Sequence, residues 1–595
     1  MARAFRPALL DLPVQTPPTS IGDRLRVLAL IANAACIETA CMIAQEAALG
    51  WWDAVVAVAG GRPDRLRAAP SLLKKLDVPA GAIAEARALG GELAALPVVE
   101  ASALLGRLYT QALPGPHRTA NGIFYTPPIL VDRLLSKAEM AGHDWVTERV
   151  LDPACGAGAF LVQMAQRTAT AMSGADPAIL LSGIGSRLRG WELDPFAAWL
   201  AQLATEAVLL PHVIASGRRL RQVVEVADAL AVFPASRETW GLVVGNPPFG
   251  KVKDTPFLRG RFGRSLYGHP NLYGMFLDTA VHLAKPDGGM IAFLTPPSFL
   301  AGQYFRKLRR LLRDHASPVS IDLVESRVDV FDDVLQEVAL SVFKRGGQAQ
   351  PAQCAAVHVV PTGIRPPGIR VEPTGPLILP ADPYEPWTLA RSAKDSVLVA
   401  QLRTMPTRLA DWGYQVSTGP LVWNRHKLQL HDTPGPGRVP VVWAEAVTPD
   451  GRFALKAARR YHRAWFTPRG ADDPNIVDRR CVLVQRTTAK EQHRRLIAAE
   501  MPASLLARFK AVTVENHLNM VRTIGRRPKV PLHTLAAFLA TDTADRVLRC
   551  INASVAVSAS ELEAMPLPTA KSVVTAMRKS GFDQAIRRLY GLGAT

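Results

Sequence analysis

The stretch RVLDPACGAGAFLVQMAQR, residues 149–167, decides the fold. Its apolar beginning predicts a short buried strand, and AFLVQMAQR has the apolar spacing of a helix. Gly156 and Gly158 lie between the two and permit a tight turn, with the backbone close to a ligand at the N-terminus of the helix. The turn lacks the third glycine of the GxGxxG dinucleotide signature, so a tight strand–helix connection without a ligand remains an alternative.

Short apolar strands alternate with amphipathic helices around this stretch, from about residue 113 to 345. The strand candidates are RVLDPA, RGWELD, VVEVADA, GLVVGN, GMIAFLT, SIDLVE and VALSVFK, and helices such as ILVDRLLSKAEMA and YFRKLRRLLRD lie between them. This alternation predicts an α/β fold with an open, mostly parallel, Rossmann-like sheet covered by helices on both faces. Ligands bind such sheets at the carboxyl ends of the strands.

Two of the predicted strands end in acidic residues. RGWELDP places Glu192 at a strand terminus, where a carboxylate can accept hydrogen bonds from both hydroxyls of a ribose. VEVADAL places Asp228 at the end of the following strand, where it can hold an exocyclic amine. Each acid alone is more often a helix N-cap or a solvated loop residue. Together with the glycine turn they predict a nucleoside-binding site.

The stretch GLVVGNPPFGKV, residues 241–252, ends a strand with Asn246-Pro247-Pro248-Phe249. A proline has no N–H and cannot continue a sheet ladder, so the strand must end there. The side-chain oxygen of Asn246 and the carbonyl of Pro247 can both accept hydrogen bonds from one amino group, which fixes its orientation and draws its lone pair out of ring conjugation. The prolines keep that geometry rigid, and Phe249 offers a face for a heterocycle. An ordinary turn is the alternative, because Asn-Pro-Pro also favours turns.

The chain is strongly basic, since 70 Lys and Arg against 51 Asp and Glu give a net charge of +19. Such a surplus favours a polyanionic partner, nucleic acid before a membrane, over a merely basic proteome. Residues 451–530 hold 18 Lys and Arg against 6 Asp and Glu, so most of the surplus is concentrated there.

The cysteines and the apolar segments argue against a metal-binding, a disulfide-stabilised or a membrane-spanning protein. Six cysteines form no CxxC pair and no Cys/His ligand spacing, so the sequence predicts neither a metal site nor a disulfide framework. They fit a reducing cytoplasm, where the protein would associate with nucleoid DNA. The apolar run LRVLALIANAACIETACMIA contains Arg26 and Glu38 and predicts a buried helix, so we expect no membrane partner.

Composition divides the chain into four parts. Residues 1–112 are rich in Ala and Leu with helical spacing, which predicts a helical N-terminal domain, and residues 113–348 form the α/β domain. Residues 349–386 include the Pro/Gly-rich stretch PTGIRPPGIRVEPTGPLILPADPYEP and predict a linker. Residues 387–595 mix strands and helices without the βα alternation, which predicts a basic α+β C-terminal domain.

DPACGAGAF, WELDP, ADAL and GNPPFG, in this order and spacing, resemble the motifs of S-adenosylmethionine-dependent amino methyltransferases. The resemblance is greatest to the DNA adenine-N6 methyltransferases of restriction–modification systems. GIFYTPPILVDRLL, residues 122–135, resembles their cofactor-contacting segment, with Thr126 at the matching threonine. A cofactor segment first and a specificity region last resembles the gamma class. The likeness covers about residues 100–345, and VTVENHLNMVRT resembles part of a target-recognition module.

The resemblance implies S-adenosyl-L-methionine as cofactor and duplex DNA as partner. The cofactor-binding residues that it implies are Thr126, Asp152, Ala154, Cys155, Gly156, Gly158, Glu192, Asp228 and Ala229. Thr126 and Asp152 would meet the methionine end, Glu192 the ribose and Asp228 the adenine of the cofactor. The implied catalytic residues are Asn246, Pro247, Pro248 and Phe249. Phe331 stands where a second aromatic often faces the target base, and a buried core phenylalanine is the alternative.

The implied reaction is site-specific methylation of adenine N6 in duplex DNA by in-line displacement, with the base flipped out of the helix. Residues 387–595 would be the target-recognition domain, although the sequence assigns no base contacts to Trp423, Arg425, Lys427 or His517. A separately encoded restriction endonuclease, or a subunit of a larger defence complex, is the protein partner that such a system would add.

Three alternatives stay open. The same motif occurs in methyltransferases that act on RNA bases or on a protein glutamine. A fused restriction enzyme would carry an Asp followed by Glu-x-Lys, a pattern not found in residues 1–112. A non-catalytic DNA-specificity subunit would be expected to have a degenerate cofactor site, whereas both glycines and the matched acids are intact here.

Overall fold

The computed structural model describes residues 20–33, 36–61, 78–232, 239–325, 337–347, 351–362, 365–457, 461–470, 472–487, 494–551, 556–578 and 581–593. These residues divide into two compact units. The first comprises the described residues up to Asp132, with Asp144–Val232 and Val244–Gly250. The second comprises Arg133–His143, residues 239–243 and the described residues from Lys251 onward.

In the described residues before the first strand, the helices are α1 (Ile21–Asn33), α2 (Ile37–Val58), α3 (Ala80–Leu93), α4 (Val98–Ala112), α5 (Gly115–Asn121) and α6 (Pro128–Met140). Alternating strands and helices follow as β1 (Val150–Asp152), α7 (Ala159–Ala171), α8 (Pro177–Arg187), β2 (Leu188–Glu192), α9 (Pro195–Val208), α10 (Leu210–Ser216), β3 (Val224–Val226), α11 (Ala229–Val232) and β4 (Leu242–Gly245). Strands β3, β2 and β1 are neighbours in that order, and both pairs are parallel. The parallel pairing predicted from the βα alternation is thus confirmed for this part of the sheet.

The second unit continues with α12 (Pro256–Phe262), α13 (Leu272–Leu283), β5 (Met290–Thr295), α14 (Arg306–His315), β6 (Ala316–Val324), β7 (Val338–Arg345), β8 (Ala352–Thr362) and β9 (Arg365–Leu377). Its strand order is β5-β7-β6-β8-β9. Strand β7 runs antiparallel to both β5 and β6, whereas β6 and β8 are parallel. All seven strands predicted from the sequence are therefore present, as β1 to β7, in a mixed α/β fold.

The segment predicted to be a linker, residues 349–386, differs from that expectation. It contains β8 and β9, which pair antiparallel with Ala352 opposite Leu377. Strand β9 is the last in its strand order, and an edge strand tolerates prolines because it has a side without ladder hydrogen bonds. Pro373 and Pro376 therefore lie in a strand, although in the sequence they are typical of a loop.

The N-terminal helices share their hydrophobic core with the α/β region. Trp51 of α2 and Leu108 of α4 are fully buried in one cluster with Phe196 and Leu200 of α9. The predicted boundary at residue 112 is therefore not a break in the core of the first unit. Among the described helices, α2 is long and apolar enough to cross a membrane, and half of its most apolar stretch is buried inside the fold. The bent pair α9–α10 adds a second candidate if the pair is counted as one span.

The remaining part of the second unit mixes short strands and helices, as expected for residues 387–595. Its helices are α15 (Ser396–Leu402), α16 (Leu409–Trp412), α17 (Ala503–Phe509), α18 (Leu532–Leu539), α19 (Asp542–Ile551), α20 (Ala559–Glu563), α21 (Ala570–Met577) and α22 (Phe582–Leu589). Its strands are β10 (Tyr414–Thr418), β11 (Leu430–His431), β12 (Val439–Val442), β13 (Trp465–Phe466), β14 (Val482–Gln485), β15 (Ala498–Glu500), β16 (Thr513–Val514) and β17 (Leu518–Thr523). As far as the structure describes this region, the strands form two four-stranded sheets, in the orders β10-β17-β14-β15 and β11-β13-β12-β16.

Candidate functional site

The turn between β1 and α7 leaves one side of its backbone open. Gly156 and Gly158 have φ angles of 52° and 92°, in the left-handed region that favours glycine. A Cβ on Gly158 would lie 2.9 Å from the Cα of Ala201, so packing against α9 requires this glycine. A Cβ on Gly156 would meet nothing within 4 Å. Gly156 therefore borders open space, where a ligand can approach the main chain.

Asp152, at the end of β1, is a buried carboxyl with an unused acceptor. Its side chain is 1% exposed, and its Oδ1 accepts a hydrogen bond of 3.0 Å from the N–H of Ala154. Its Oδ2 is buried and accepts no hydrogen bond from the described part of the chain. Burial, with repulsion from the carboxylate of Glu192, raises the pKa of Asp152 to about 8. Such a group can take a cationic or hydrogen-bond-donating part of a ligand.

Glu192, at the end of β2, lies at the same turn. Its Oε2 accepts a hydrogen bond of 2.8 Å from the N–H of Gly156, and its Oε1 accepts one of 2.9 Å from the N–H of Asp194. Burial raises the pKa of Glu192 even though these two donors favour its charged form. Each carboxylate oxygen has a second lone pair, so Glu192 can still accept hydrogen bonds from a ribose.

Cys155 contributes to the turn through its main chain. Its N–H donates a hydrogen bond of 3.0 Å to the carbonyl of Trp191. Its thiol is buried, and the Sγ would lie 2.9 Å from a Cβ placed on Gly190 of β2. Burial raises the pKa of the thiol well above its ordinary value. Ala154, the residue before it, is half-buried.

Asp228 follows β3 and is exposed. Its Oδ1 accepts a hydrogen bond of 2.9 Å from the N–H of Leu230, so it caps α11, which was the ordinary alternative for this acid. The N–H of Ala227 donates to the carbonyl of Glu192 at 2.9 Å, so the ends of β2 and β3 lie side by side. Ala229, the first residue of α11, is buried.

Asn246 follows β4, and its side chain is held by Thr126. The Nδ2 of Asn246 donates a hydrogen bond of 3.0 Å to the Oγ1 of Thr126. Its Oδ1 is buried and has no hydrogen-bond partner among the described residues. A Cβ on Gly245 would lie 2.5 Å from the Oδ1 of Asp152, which places the end of β4 against the end of β1. The two unpartnered oxygens, of Asp152 and Asn246, therefore belong to neighbouring strand ends.

Phe249 is more enclosed than a ring that simply faces a ligand. It is 8% exposed, and its ring centroid lies 5.6 Å from that of Phe124, with 30° between the planes. Gly122 has a φ of 63°, and a Cβ there would lie 2.4 Å from the carbonyl oxygen of Phe249, so the two segments are in direct contact. Pro247 is buried and Pro248 half-buried. The aromatic surface beside the motif thus includes Phe124, which no sequence motif indicated although it lies two residues before Thr126.

A hydrogen bond from the N-terminal helices, which the sequence did not predict, helps to position Glu192. The hydroxyl of Tyr109 in α4 donates a hydrogen bond to the Oδ2 of Asp194. Asp194 also caps α9 through the N–H of Phe196, at 2.9 Å. Its main chain holds Glu192, so α4 helps to fix the position of that carboxylate.

Other predicted residues lie elsewhere. Phe331 falls outside the described residues, so its relation to a target base stays a prediction. The Nζ of Lys427 lies 5.9 Å from the ring centroid of Trp423, and the Nδ1 of His517 lies 2.6 Å from the Oε1 of Glu515. These contacts assign no base-reading role to these residues.

Comparison with known proteins links this site to a family. The Eco57I restriction-modification methylase family matches residues 208–331, which include the Asn246-Pro247-Pro248-Phe249 motif. The Type II methyltransferase M.BsuBI of Bacillus subtilis is 27% identical over 356 residues, which are 58% of this chain and 68% of M.BsuBI. The Type II methyltransferase M.PstI of Providencia stuartii is 25% identical over 327 residues, which are 54% of this chain and 64% of M.PstI. The matched regions thus span about two thirds of these relatives.

A solved structure has a fold similar to that of this chain. The Type IIL restriction-modification enzyme MmeI, solved in complex with DNA, has a TM-score of 0.52 to this chain and covers 97% of both chains. Its sequence is 12% identical, so the likeness shows the fold alone. With the family and sequence matches, the resemblance to DNA methyltransferases of restriction–modification systems is confirmed.

Proposed function

We propose, from this resemblance, that the chain is a site-specific DNA methyltransferase of a restriction–modification or related defence system. It would transfer a methyl group from S-adenosyl-L-methionine to the N6 amino group of adenine in duplex DNA. The observation that carries the proposal is the buried Oδ1 of Asn246, which has no partner among the described residues. A buried acceptor without a donor is costly, and the amino group of a target base would supply the donor.

The residues around the glycine turn fit S-adenosyl-L-methionine. The unpartnered Oδ2 of Asp152 suits the ammonium group at the methionine end, and the open side of Gly156 admits a ligand along the main chain. Glu192 would hold the ribose hydroxyls, and Asp228 with Ala229 would hold the adenine. The bound cofactor supplies a methyl group attached to a positively charged sulfur.

The chain's own contribution to the reaction is to orient the target amine. The Oδ1 of Asn246 and the main-chain carbonyl of Pro247 would accept hydrogen bonds from its two N–H groups. These acceptors direct the nitrogen lone pair out of the ring plane and strengthen as positive charge develops on the nitrogen. Thr126 keeps the Asn246 amide in the required orientation, because it occupies the Nδ2 of that amide. Direct displacement needs no nucleophilic side chain.

Adenine N6 lies inside the duplex, so the base would have to be flipped into the site. The Phe124–Phe249 pair supplies aromatic surface at the motif, and stacking on such rings tolerates any base.

Of the alternatives, a protein glutamine would not explain the +12 surplus of 18 Lys and Arg over 6 Asp and Glu in residues 451–530. Phosphate contacts would, and MmeI, the structural relative, was solved with DNA. Residues 387–595 would recognise the target, and a separate endonuclease would complete the system.

Methyl transfer from labelled S-adenosyl-L-methionine tests the proposal. The purified chain is incubated with mixed-sequence duplex DNA, with RNA, and with a glutamine-containing protein extract, and the methylated nucleosides or residues are identified after digestion. We expect N6-methyladenine from the duplex. Label found only in RNA or in protein would contradict the proposal and favour the corresponding alternative.

A further inference from the structure

We propose that the segment Lys251–Asn271 is a second DNA-contacting element, and that Phe257 inserts into the base stack beside the flipped adenine. The inference rests on the proposed function and extends it to a surface outside the cofactor and amine sites. The segment begins directly after Gly250, which ends the GNPPFG motif. Because Lys251 follows the motif directly in the chain, the segment begins close to the residues that would hold the extruded base.

The segment is a closed loop whose two ends pair with each other. Lys251 and Asn271 form an antiparallel bridge. The N–H of Val252 donates a hydrogen bond of 3.2 Å to the carbonyl of Pro270. The chain therefore leaves and returns at one place, as in compact surface loops that carry function.

The base of the loop is fixed to the surrounding helices. Phe262 is fully buried, and Arg264 donates a hydrogen bond of 2.7 Å from its Nε to the buried Oδ1 of Asp278 in α13. The hydroxyl of Ser265 donates to the other oxygen of the same carboxylate. The Nζ of Lys307, in α14, donates at 2.9 Å to the carbonyl of Gly263. The loop is thus a rigid platform for the residues at its outer side.

The outer side presents an aromatic ring among cations. Phe257, in α12, is 69% exposed, and the guanidinium carbon of Arg261 lies 5.8 Å from the centre of its ring. Lys251 and Lys253 are exposed as well. Residues 251–271 contain five Lys and Arg and one Asp, a net charge of +4. The one acid, Asp254, is paired with Arg259 of the same segment, with 2.8 Å between Oδ1 and Nε.

A ring held out from a rigid, basic loop fits a stacked polyanion better than an acidic protein surface. Proteins that distort DNA insert apolar side chains between base steps, and flanking cations contact the phosphates. Flipping one base leaves a gap in the stack, which such a ring can fill. Phe257 would then stabilise the extruded state without touching the reacting atoms.

The test uses the full-length chain and the DNA sequence that it methylates, identified by sequencing modified DNA. Phe257→Ala is compared with Phe257→Trp and with Ile179→Ala, a control at an exposed apolar residue (63% exposed) of α8. Each is assayed on a duplex with a paired target adenine and on one with an abasic site opposite it, where extrusion is easier. We expect Phe257→Ala to lower kcat/KM on the paired duplex by about tenfold or more. On the abasic duplex it should match wild type, and the other two variants should be near wild type on both.

Unchanged activity of Phe257→Ala on the paired duplex would overturn the inference and leave this surface to another partner. An equal loss on both duplexes would also overturn it, because a general binding role does not depend on base pairing. With 2-aminopurine at the target position, fluorescence should rise on binding of wild type and rise less with Phe257→Ala. A wild-type chain that methylates no DNA would instead refute the proposed function, and this inference with it.

Discussion

The Nδ2 of Asn246 donates a hydrogen bond of 3.0 Å to the Oγ1 of Thr126, although 120 residues separate the two in the chain. This contact joins the turn after β4 to the segment that precedes α6. The Nε2 of Gln163 in α7 donates a hydrogen bond of 2.9 Å to the carbonyl of Pro128, the first residue of α6. Thr126, matched in the sequence to a cofactor-contacting threonine, is therefore also placed to orient the side-chain amide of Asn246.

Thr126→Val should lower the rate of methyl transfer. Valine keeps the size of threonine but leaves the Asn246 amide N–H without its acceptor, which costs about 1–3 kcal/mol of free energy. The Asn246 side chain can avoid this cost by rotating away from the orientation that the reaction needs. We expect the single-turnover rate to fall by about tenfold or more. Thr126→Ser, which keeps the hydroxyl, should retain most of the rate. Wild-type turnover in Thr126→Val would contradict the positioning role.

Glu192→Gln should weaken binding of S-adenosyl-L-methionine. The amide removes the charge and offers one acceptor in place of two, and hydrogen bonds to a charged group contribute about 1.5–3 kcal/mol. Calorimetry should show a loss of affinity of about tenfold or more. Glu225→Gln, at an exposed acid of β3, is the matched control. Equal affinities in the two variants would mean that the ribose site is misplaced.

Asp228→Asn should weaken the same binding by a smaller factor than Glu192→Gln. Asp228 is exposed and already caps α11, so water competes for its hydrogen bonds to a ligand. Asparagine is also a good N-cap, so the substitution should leave α11 intact. Calorimetry with the cofactor measures the effect. A loss larger than that of Glu192→Gln would contradict this ranking of the two acids.

Asp152 should make the stability of the ligand-free protein depend on pH. Its pKa is raised to about 8 by burial, so between about pH 4, where an unfolded aspartate titrates, and about pH 8 the folded chain keeps a proton that the unfolded chain loses. Its contribution to stability therefore falls as pH rises through this window. Asp152→Asn removes that contribution. The thermal midpoint of the variant minus that of wild type should therefore rise from about pH 5 to about pH 8. A flat or falling difference would contradict the raised pKa of the Asp152 carboxyl.

The exposed turn after β17 should contact the DNA backbone. Arg526 and Arg527 are exposed and follow Gly525, which has a φ of 74°. Replacing both arginines by alanine should weaken duplex binding and reduce the slope of log affinity against log salt by about two, one for each lost phosphate contact. The double variant of Arg218 and Arg221, exposed in the first unit, is the control. An unchanged salt slope would exclude this turn from the interface.

The sequence predicted the features that depend on local patterns. The strands β1 to β7 were found from their apolar runs, and the chain ends β4 at Gly245 because Pro247 and Pro248 cannot continue a ladder. The ends of β1, β2 and β3 bring Asp152, Glu192 and Asp228 to one edge because parallel strands share their carboxyl ends.

The features that were missed depend on contacts between distant residues. The packing of Phe124 on Phe249 and the hydrogen bond from Tyr109 to Asp194 join segments that local periodicity cannot relate. The N-terminal helices form one core with α9, although their composition is that of a separate domain. In residues 365–377 the prolines indicated a loop, whereas the edge position of β9 tolerates them.

The proposed function requires Asn246 to orient an adenine amine for methylation in duplex DNA. Its most direct test is sequencing, with detection of modified bases, of DNA from cells that express the wild-type chain or Asn246→Ala. We predict N6-methyladenine at one recognised sequence with wild type and its loss with Asn246→Ala, whose turnover should fall by about 100-fold or more, while the purified variant still binds S-adenosyl-L-methionine. An absence of modified adenine with wild type would contradict the proposed function, and the same methylation with Asn246→Ala would contradict the role of Asn246.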